Sequence, residues 1–148
     1  MALPQLILGN PHFAQIGGAQ AVDRLVEAFY RRVETLPEAA AIRAMHALDL
    51  TDTKAVLKVY LNEWLGGPRD YSRDRGPPRL RRAHAPFSIG PAERDAWMLC
   101  MRCALAEVVT DESLRGQLER AFFKIAETIR NDQGNPHDLD RKHGLRAP

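Results

Sequence analysis

Apolar side chains recur at intervals of three and four residues in four long stretches of the chain. This spacing places them on one face of an α-helix, so each stretch predicts an amphipathic helix that packs against a common core. No stretch alternates apolar and polar residues as a β-strand would. The four predicted faces are Val22, Leu25, Val26, Phe29, Tyr30 and Val33; Leu57, Tyr60, Leu61, Trp64 and Leu65; Trp97, Cys100, Met101, Ala104, Leu105 and Val108; and Leu114, Leu118, Ala121, Phe122, Ile125 and Ile129.

Glycine, proline and capping residues mark the ends of these helices. Gly17-Gly18 opens the first helix, and Thr51-Asp52 is the predicted N-cap of the second, which Gly66-Gly67-Pro68 ends. Gly90-Pro91 starts the third helix, because proline is well accommodated in a first turn. Thr110-Asp111 caps the fourth helix. The chain is therefore predicted to be all-α.

The segments outside the four helices are shorter and more polar. Glu38 to Ala44 predicts a short alanine-rich helix, and Arg69 to about Pro78 predicts a loop. A short helical turn follows from Arg79 to Ala85, and Pro86 ends it. The predicted organisation is an irregular lead-in over residues 1–15, one domain over 16–130 and a poorly ordered polar tail over 131–148.

Composition fits one domain with a single core and shows no global bias in charge. The 148 residues are 45% hydrophobic, and the net charge of +2 gives no general reason to expect nucleic acid as a partner. The six arginines between Arg69 and Arg82 form a local exception, for which a solvated loop and a nucleic-acid patch are both alternatives. No segment predicts a signal peptide or a membrane span, and we expect a cytoplasmic location.

The two cysteines form a C-x-x-C pattern, Cys100-Met101-Arg102-Cys103, within the third helix. No histidine follows it, so the pattern does not predict covalent attachment of haem. Cys100 shares the apolar face of its helix and is predicted to lie in the core, with a redox or metal site as the alternative.

Histidines are the most informative candidates for chemistry. Of the five in the chain, His46 and His84 fall within the predicted helical body, whereas His12, His137 and His143 fall in the predicted flexible ends. His84 is displayed at the end of a short helical turn, since Pro86 cannot extend that turn. A neutral imidazole beside apolar groups suits a single axial bond to haem iron. An ordinary partly buried histidine is the alternative that the local context alone favours.

The stretch from Trp64 to Met101, WLGGPRDYSRDRGPPRLRRAHAPFSIGPAERDAWMLCM, closely resembles the centre of the group II truncated haemoglobins. Its Gly-Gly-Pro, Tyr-Ser, Pro-Arg-Leu-Arg, His-Ala-Pro-Phe and Asp-Ala-Trp elements follow one another in the order and spacing of that family. A weaker resemblance extends from about Ile16 to about Arg130. The resemblance implies a globin-like fold, a truncated two-over-two sandwich of helices around non-covalently bound haem b.

The same resemblance implies roles for individual residues. His84 corresponds to the proximal iron ligand, and Tyr30 and Trp97 correspond to donors that stabilise bound oxygen. His46 corresponds to a polar or aromatic position beside the ligand and would be a third donor. Both Tyr30 and Trp97 have a simpler interpretation as core residues of their helices. The other pocket positions that the resemblance implies are Phe29, Thr53, Leu57, Tyr60 and Phe87.

Arginines near His84 would pair with the haem propionates, because guanidinium and carboxylate form charge-assisted hydrogen bonds. Arg79 and Arg82 are the candidates, with Tyr71 nearby. The chain departs from the family at two positions in this region. Pro77 stands where the family often has histidine, and Ala83 stands where it usually has arginine, so both departures affect the expected propionate contacts.

The resemblance implies reversible binding of oxygen, carbon monoxide, nitric oxide or a similar small ligand at haem iron. A network of tyrosine and tryptophan donors would release oxygen slowly, which suits scavenging, sensing or redox detoxification. One alternative is a haem enzyme that oxidises nitric oxide or acts as a peroxidase with an external reductase, since no flavin or nicotinamide motif is present. A non-haem helical interaction module is another alternative, and both monomer and homodimer stay open.

Overall fold

The structure, a computed structural model, describes residues 10–131, and within that range it contains helices and turns without any β-strand. The long helices match the four predicted amphipathic stretches. We number the α-helices in chain order: α1 (His12–Ile16), α2 (Gly18–Thr35), α3 (Ala40–Ala44, preceded by a 3-10 turn at Pro37–Ala39), α4 (Thr51–Trp64), α5 (Asp70–Arg75), α6 (Leu80–His84), α7 (Pro91–Val108) and α8 (Glu112–Ile129).

Helix α2 lies at the centre of the packing. It contacts α7 most extensively and also packs along α4, while α7 packs on α8. Its whole apolar face is buried, from Val22 through Phe29 to Val33. Burying one such side chain stabilises the fold by roughly 1.5–3 kcal/mol, so this face supplies a large part of the hydrophobic free energy. The α2–α4 pair and the α7–α8 pair form the two layers of the predicted two-over-two sandwich.

Ion pairs along the outside of the α2–α4 contact fix how these helices lie on each other. Lys58 Nζ lies 2.8 Å from Asp23 and 2.7 Å from Glu27, and Lys54 Nζ lies 3.0 Å from Glu27. Hydrogen bonds from Lys58 and Lys54 lower the pKa of Glu27. The side chains are partly exposed, so we expect the ion pairs to orient the helices more than to stabilise them.

Two of the predicted helix starts are confirmed, and one predicted cap is wrong. Glu93 Oε1 accepts the Gly90 N–H at 2.7 Å at the start of α7, and Asp111 accepts the N–H groups of Ser113 and Leu114 at the start of α8. At α4, however, neither Thr51 nor Asp52 is the cap. The carboxylate of Asp49 accepts the Thr51 N–H at 2.9 Å, because an aspartate two residues earlier can form a local turn.

Two segments predicted to be irregular are helical. The lead-in predicted over residues 1–15 contains α1, where Asn10 Oδ1 accepts the His12 N–H at 3.0 Å and so starts the helix. The loop predicted from Arg69 to Pro78 contains α5, where the guanidinium of Arg73 pairs with the carboxylates of Asp70 and Asp74. Periodicity missed both because these helices hold no fully buried side chain. Of the tail predicted over residues 131–148, Asn131 is described by the structure, and residues 132–148 lie outside the described residues.

The turn after α4 packs closely against Asn10 and Phe13 at the N-terminal side of the described residues. Phe13 N–H donates to the carbonyl oxygen of Leu65 at 2.8 Å, and the Phe13 ring lies against Gly67. Gly66 has a φ of 103°, and a Cβ at this position would overlap the Asn10 carbonyl group. Both a positive φ and a close backbone approach therefore require glycine here.

Substitution of Gly66 by alanine should separate this close approach from simple backbone strain. We expect Gly66→Ala to lower the free energy of unfolding by about 3 kcal/mol, since strain and overlap add. Gly18→Ala is the matched control, because Gly18 also has a positive φ (76°) but no neighbouring atom within 4 Å of its Cβ position. It should cost about 1–2 kcal/mol. Urea denaturation measures both values, and equal losses would contradict the packing described here.

No helix within residues 10–131 combines the length and the apolar character needed to cross a membrane.

Candidate functional site

Aromatic rings connect four of the predicted site residues where α2 crosses α7. The ring of Phe29 lies 5.0 Å from that of Tyr30 and 5.2 Å from the indole of Trp97, measured between centroids. Tyr30 in turn meets His46 edge-to-face at 5.6 Å. Neighbouring positions on α2 therefore reach both α7 and the turn after α3. The structure brings Tyr30, His46 and Trp97 together around Phe29.

The polar atoms of Tyr30 and Trp97 in this group have no hydrogen-bond partner within the described part of the protein. Neither the Tyr30 hydroxyl nor the Trp97 indole N–H forms a hydrogen bond there. Within residues 10–131, the fully buried side-chain atoms without a partner are Asn62 Oδ1 and Arg130 Nε. The Tyr30 hydroxyl and the Trp97 N–H are not among them, so both keep some accessible surface. Burial raises the pKa of Tyr30 to about 12, and its hydroxyl therefore stays protonated at neutral pH. The group offers two free hydrogen-bond donors.

His84 is the last residue of α6, and its imidazole is oriented by its own helix. Nδ1 lies 2.7 Å from the carbonyl oxygen of Leu80, one turn earlier. Since a carbonyl can only accept, Nδ1 carries the proton and donates, which leaves Nε2 with a free lone pair in the neutral ring. A histidine that ligates a metal through one nitrogen usually donates the other N–H in this way.

His46 carries the same kind of tether. Its Nδ1 lies 2.8 Å from the carbonyl oxygen of Ile42, so the neutral ring again presents Nε2 as an acceptor. Within residues 10–131, no hydrogen bond or ring contact joins His84 to His46, Tyr30 or Trp97. The two imidazoles are thus tethered in the same way, each by Nδ1 to a backbone carbonyl, but they belong to separate groups of contacts.

Asn131 holds the segment that carries His84, and the sequence interpretation missed it. Its backbone N–H donates to the Ile89 carbonyl at 2.9 Å, and its Oδ1 accepts the Ile89 N–H at 2.8 Å. Its Nδ2 donates to the carbonyl oxygens of His84 at 3.1 Å and Phe87 at 2.8 Å. The only signal in the sequence was an asparagine just after the last apolar position of α8.

The remaining predicted pocket residues lie half-buried on α4 and around α6. Thr53, Leu57 and Tyr60 are half-buried along α4, and Leu57 and Tyr60 pack against the core. Tyr60 meets Tyr71 edge-to-face at 5.5 Å, and burial raises the pKa of Tyr60 to about 12. Phe87 is also half-buried beyond α6.

Two surface cavities adjoin these residues without enclosing the whole predicted site. A cavity of about 390 Å³ is lined by Tyr60, Leu80 and Ile125 among others, and one of about 460 Å³ lies between α4 and α5 beside Tyr71. Neither is lined by His84 or Trp97. The structure therefore assembles the predicted site in parts: one around Phe29, one around the tyrosines and one around His84.

The predicted propionate partners are exposed. Arg79 and Arg82 lie on the surface at the start and middle of α6, and neither forms an ion pair with a carboxylate of residues 10–131. Cys100, by contrast, is buried as predicted, and burial raises the pKa of its thiol to about 11. A thiol that stays protonated is a weak nucleophile, which fits a packing role.

A family model for bacterial-like globins matches residues 12–131 of the chain. The chain is a member of the bacterial-like globin family. It is 36% identical over 124 residues to the group 2 truncated hemoglobin YjbI of Bacillus subtilis strain 168, with 84% of this chain and 89% of that protein covered. The matched range includes α1 and ends at Asn131, so the residues that support His84 belong to the globin domain.

Solved structures of globins agree with this assignment. The group II 2-on-2 hemoglobin of Agrobacterium tumefaciens matches with a TM-score of 0.78 and 41% identity, covering 81% of this chain and 93% of that one. The hemoglobin of the thermophilic phototrophic bacterium Chloroflexus aurantiacus matches with a TM-score of 0.74 and 42% identity, covering 81% and 97%. The predicted resemblance to group II truncated haemoglobins and the all-α two-over-two fold are both confirmed.

Removal of the Asn131 side chain tests whether it supports the segment around His84. We expect Asn131→Ala to lower the free energy of unfolding by about 2–3 kcal/mol, because three partly buried hydrogen bonds are lost. Asn10→Ala removes an exposed asparagine that also bonds the backbone, and it should cost about 1 kcal/mol or less. Urea denaturation measures both, and a loss at Asn131 no larger than that at Asn10 would contradict the assigned role.

Proposed function

We propose that this globin binds haem b non-covalently through His84 and reversibly binds oxygen and other diatomic ligands at the haem iron. The observation that carries the proposal is the orientation of the His84 imidazole. Its N–H is committed to the Leu80 carbonyl, so its second nitrogen is free to act as a ligand. Membership of the globin family supports a haem-binding role.

The residues around His84 fit a haem of this kind. The group that would bind the iron is an imidazole whose N–H is oriented by a backbone carbonyl, which is usual for a histidine bound to haem iron. Asn131 fixes the backbone on which the imidazole stands. The C-x-x-C pattern is not followed by histidine, so no covalent attachment is expected. Haem, when bound, supplies the iron at which the small ligand binds.

Tyr30 and Trp97 would stabilise that ligand. Each has a hydrogen-bond donor that no group within residues 10–131 satisfies, and Tyr30 is only 4% exposed. Hydrogen bonds in such a dry environment are stronger than in water. Phe29 holds the two donors in place through its contacts with both rings. We propose that these donors slow the release of oxygen, which favours scavenging, sensing or redox detoxification over delivery.

His46 would pack against Tyr30 and could donate to the ligand only with a proton on Nε2. Its Nδ1–H is already committed to the Ile42 carbonyl, so without that proton the other side of the ring offers only an acceptor. This acceptor would compete with the ligand for the single proton of the Tyr30 hydroxyl. The predicted third donor therefore depends on the charge state of His46.

The other pocket roles follow from position and exposure. We propose that Thr53, Leu57, Tyr60 and Phe87 line the haem with half-buried surface. The free guanidinium groups of Arg79 and Arg82, with the hydroxyl of Tyr71, would bind the propionates.

Replacement of the proposed iron ligand tests haem binding directly. His84→Ala should lose or strongly alter the Soret band of the wild-type protein, and added imidazole should restore it by occupying the ligand's place. His12→Ala removes a histidine that contacts Gln117 on α8, and it should leave the spectrum unchanged. Absorption spectra of the ferric, ferrous and CO-bound forms give the measurement. A wild-type chain without a Soret band after haem addition would refute the proposal.

Removal of either donor should accelerate oxygen release. We expect the oxygen off-rate to rise about tenfold in Tyr30→Phe and in Trp97→Phe, the effect of losing one hydrogen bond of about 1.4 kcal/mol. Since burial raises the pKa of Tyr30 to about 12, ionisation of Tyr30 should not affect the wild-type rate below about pH 11. Stopped-flow replacement of oxygen by carbon monoxide measures the rates.

Trp64→Phe is the matched control for the tryptophan. Trp64 contacts Phe122 at 4.9 Å between ring centroids but makes no ring contact with Tyr30 or Phe29 within the described residues. Its off-rate should equal that of the wild type. An unchanged rate in both Tyr30→Phe and Trp97→Phe would show that neither residue donates to the ligand.

A further inference from the structure

Positive charge is concentrated in the segment that ends at His84. Residues 69–84 contain six arginines and two aspartates, a net charge of +4, whereas the whole chain carries +2. The rest of the chain therefore carries −2. Because its arginines are exposed, the segment presents a basic side, which can steer an acidic partner toward it.

The charge on this side is available for binding. Arg73 lies 2.9 Å from Asp70 and 3.0 Å from Asp74, so the two carboxylates of the segment are paired with one arginine. The other five arginines are exposed and form no ion pair with a carboxylate of residues 10–131. Arg79 and Arg82 are the proposed partners of the haem propionates, so we call the remaining three the basic surface: Arg69, Arg75 and Arg81.

Local contacts hold part of the basic surface in position. Arg81 donates to the Thr128 carbonyl oxygen at 3.0 Å, which fixes the side chain to α8 without neutralising its charge. The Arg75 guanidinium lies 5.9 Å from the centroid of the Tyr71 ring. An arginine that is already oriented loses less side-chain entropy when a partner binds it.

We propose that the basic surface docks an acidic protein that carries single electrons, of the flavodoxin class, and that the carrier reduces the ferric haem. This inference rests on the proposed haem function. Arg81 shares α6 with His84, so a carrier bound here lies beside the helix that carries the proposed iron ligand. The carrier loses one electron and the iron gains it, and no bond forms or breaks.

An apolar groove beside the basic surface favours a protein as the partner. The cavity of about 460 Å³ is lined by the apolar side chains of Ala55, Val56 and Val59. Tyr71, Arg75 and the two carboxylates that pair with Arg73 complete its lining. Apolar area bordered by charge is typical of protein interfaces. Single-stranded nucleic acid would require free aromatic rings for stacking, whereas the Tyr71 ring already meets Tyr60 and Arg75.

The test measures how the haem-loaded protein binds a recombinant acidic flavodoxin. Isothermal titration at low salt should give binding that weakens as ionic strength rises. Charge reversal in Arg75→Glu/Arg81→Glu should weaken the affinity by about tenfold or more. Arg24→Glu/Arg120→Glu is the control, because it changes the net charge by the same amount at exposed positions of α2 and α8. Its affinity should stay within about threefold of the wild type.

A second pair of substitutions distinguishes loss of the charge from local unfolding of the variant. Arg81→Glu also removes the hydrogen bond to Thr128, whereas Arg69→Glu/Arg75→Glu leaves that bond intact and should show the same loss of affinity. Stopped-flow reduction of the ferric protein by flavodoxin hydroquinone should slow in the same variants. The Soret band of each variant reports whether it still holds haem.

Three outcomes would overturn the proposal: no binding of flavodoxin by the haem-loaded wild type, equal losses in the control and the basic-surface variants, or tighter binding of a DNA fragment with the same arginine dependence. Failure of the haem function itself would look different, because the wild type would then have no Soret band. A wild type that binds haem but does not bind flavodoxin would refute only the proposed docking of the carrier.

Discussion

The packing of α2 against α7 is the contact on which the rest of this globin depends. Phe29 is 1% exposed and contacts Trp97 on one side and Tyr30 on the other. Because its ring is enclosed, the spacing between the two helices also sets the spacing between the two donors. Hydrophobic burial thus determines where the Tyr30 hydroxyl and the Trp97 N–H lie. The ion pairs of Glu27 and Asp23 with Lys58 orient α4 against α2.

Backbone carbonyls then determine what the histidines can do. His46 and His84 each use Nδ1 to bond the carbonyl four residues earlier, so in each ring Nε2 is the nitrogen that stays free of that bond. A free histidine exchanges between two tautomers, whereas these two favour one. The proposed chemistry differs between them because of their neighbours: Tyr30 faces His46, while Asn131 supports the backbone of His84.

The sequence predicted those parts of the fold that depend on periodic burial. The long helices α2, α4, α7 and α8 follow directly from apolar spacing, and Gly66 and Pro91 mark real boundaries. Short helices such as α1 and α5 depend on single polar contacts, which periodicity does not reveal.

The candidate site divides in the same way. Resemblance to the family identified Tyr30, Trp97 and His84 as candidates, and the structure places Tyr30 and Trp97 on either side of Phe29. Asn131 could not be predicted, because its partners lie more than 40 residues away and only the folded chain brings them together. The direction of each imidazole tether likewise depends on helix geometry.

The Asn131 contacts make the end of α8 part of the support for His84. Asn131 follows the helix by two residues, so fraying of the last turn of α8 would release the carbonyls of His84 and Phe87 together. The order of the imidazole is thus coupled to the local unfolding equilibrium of α8. A C-terminal truncation or fusion that strains this turn would act on haem affinity from outside the pocket, through the population of frayed molecules.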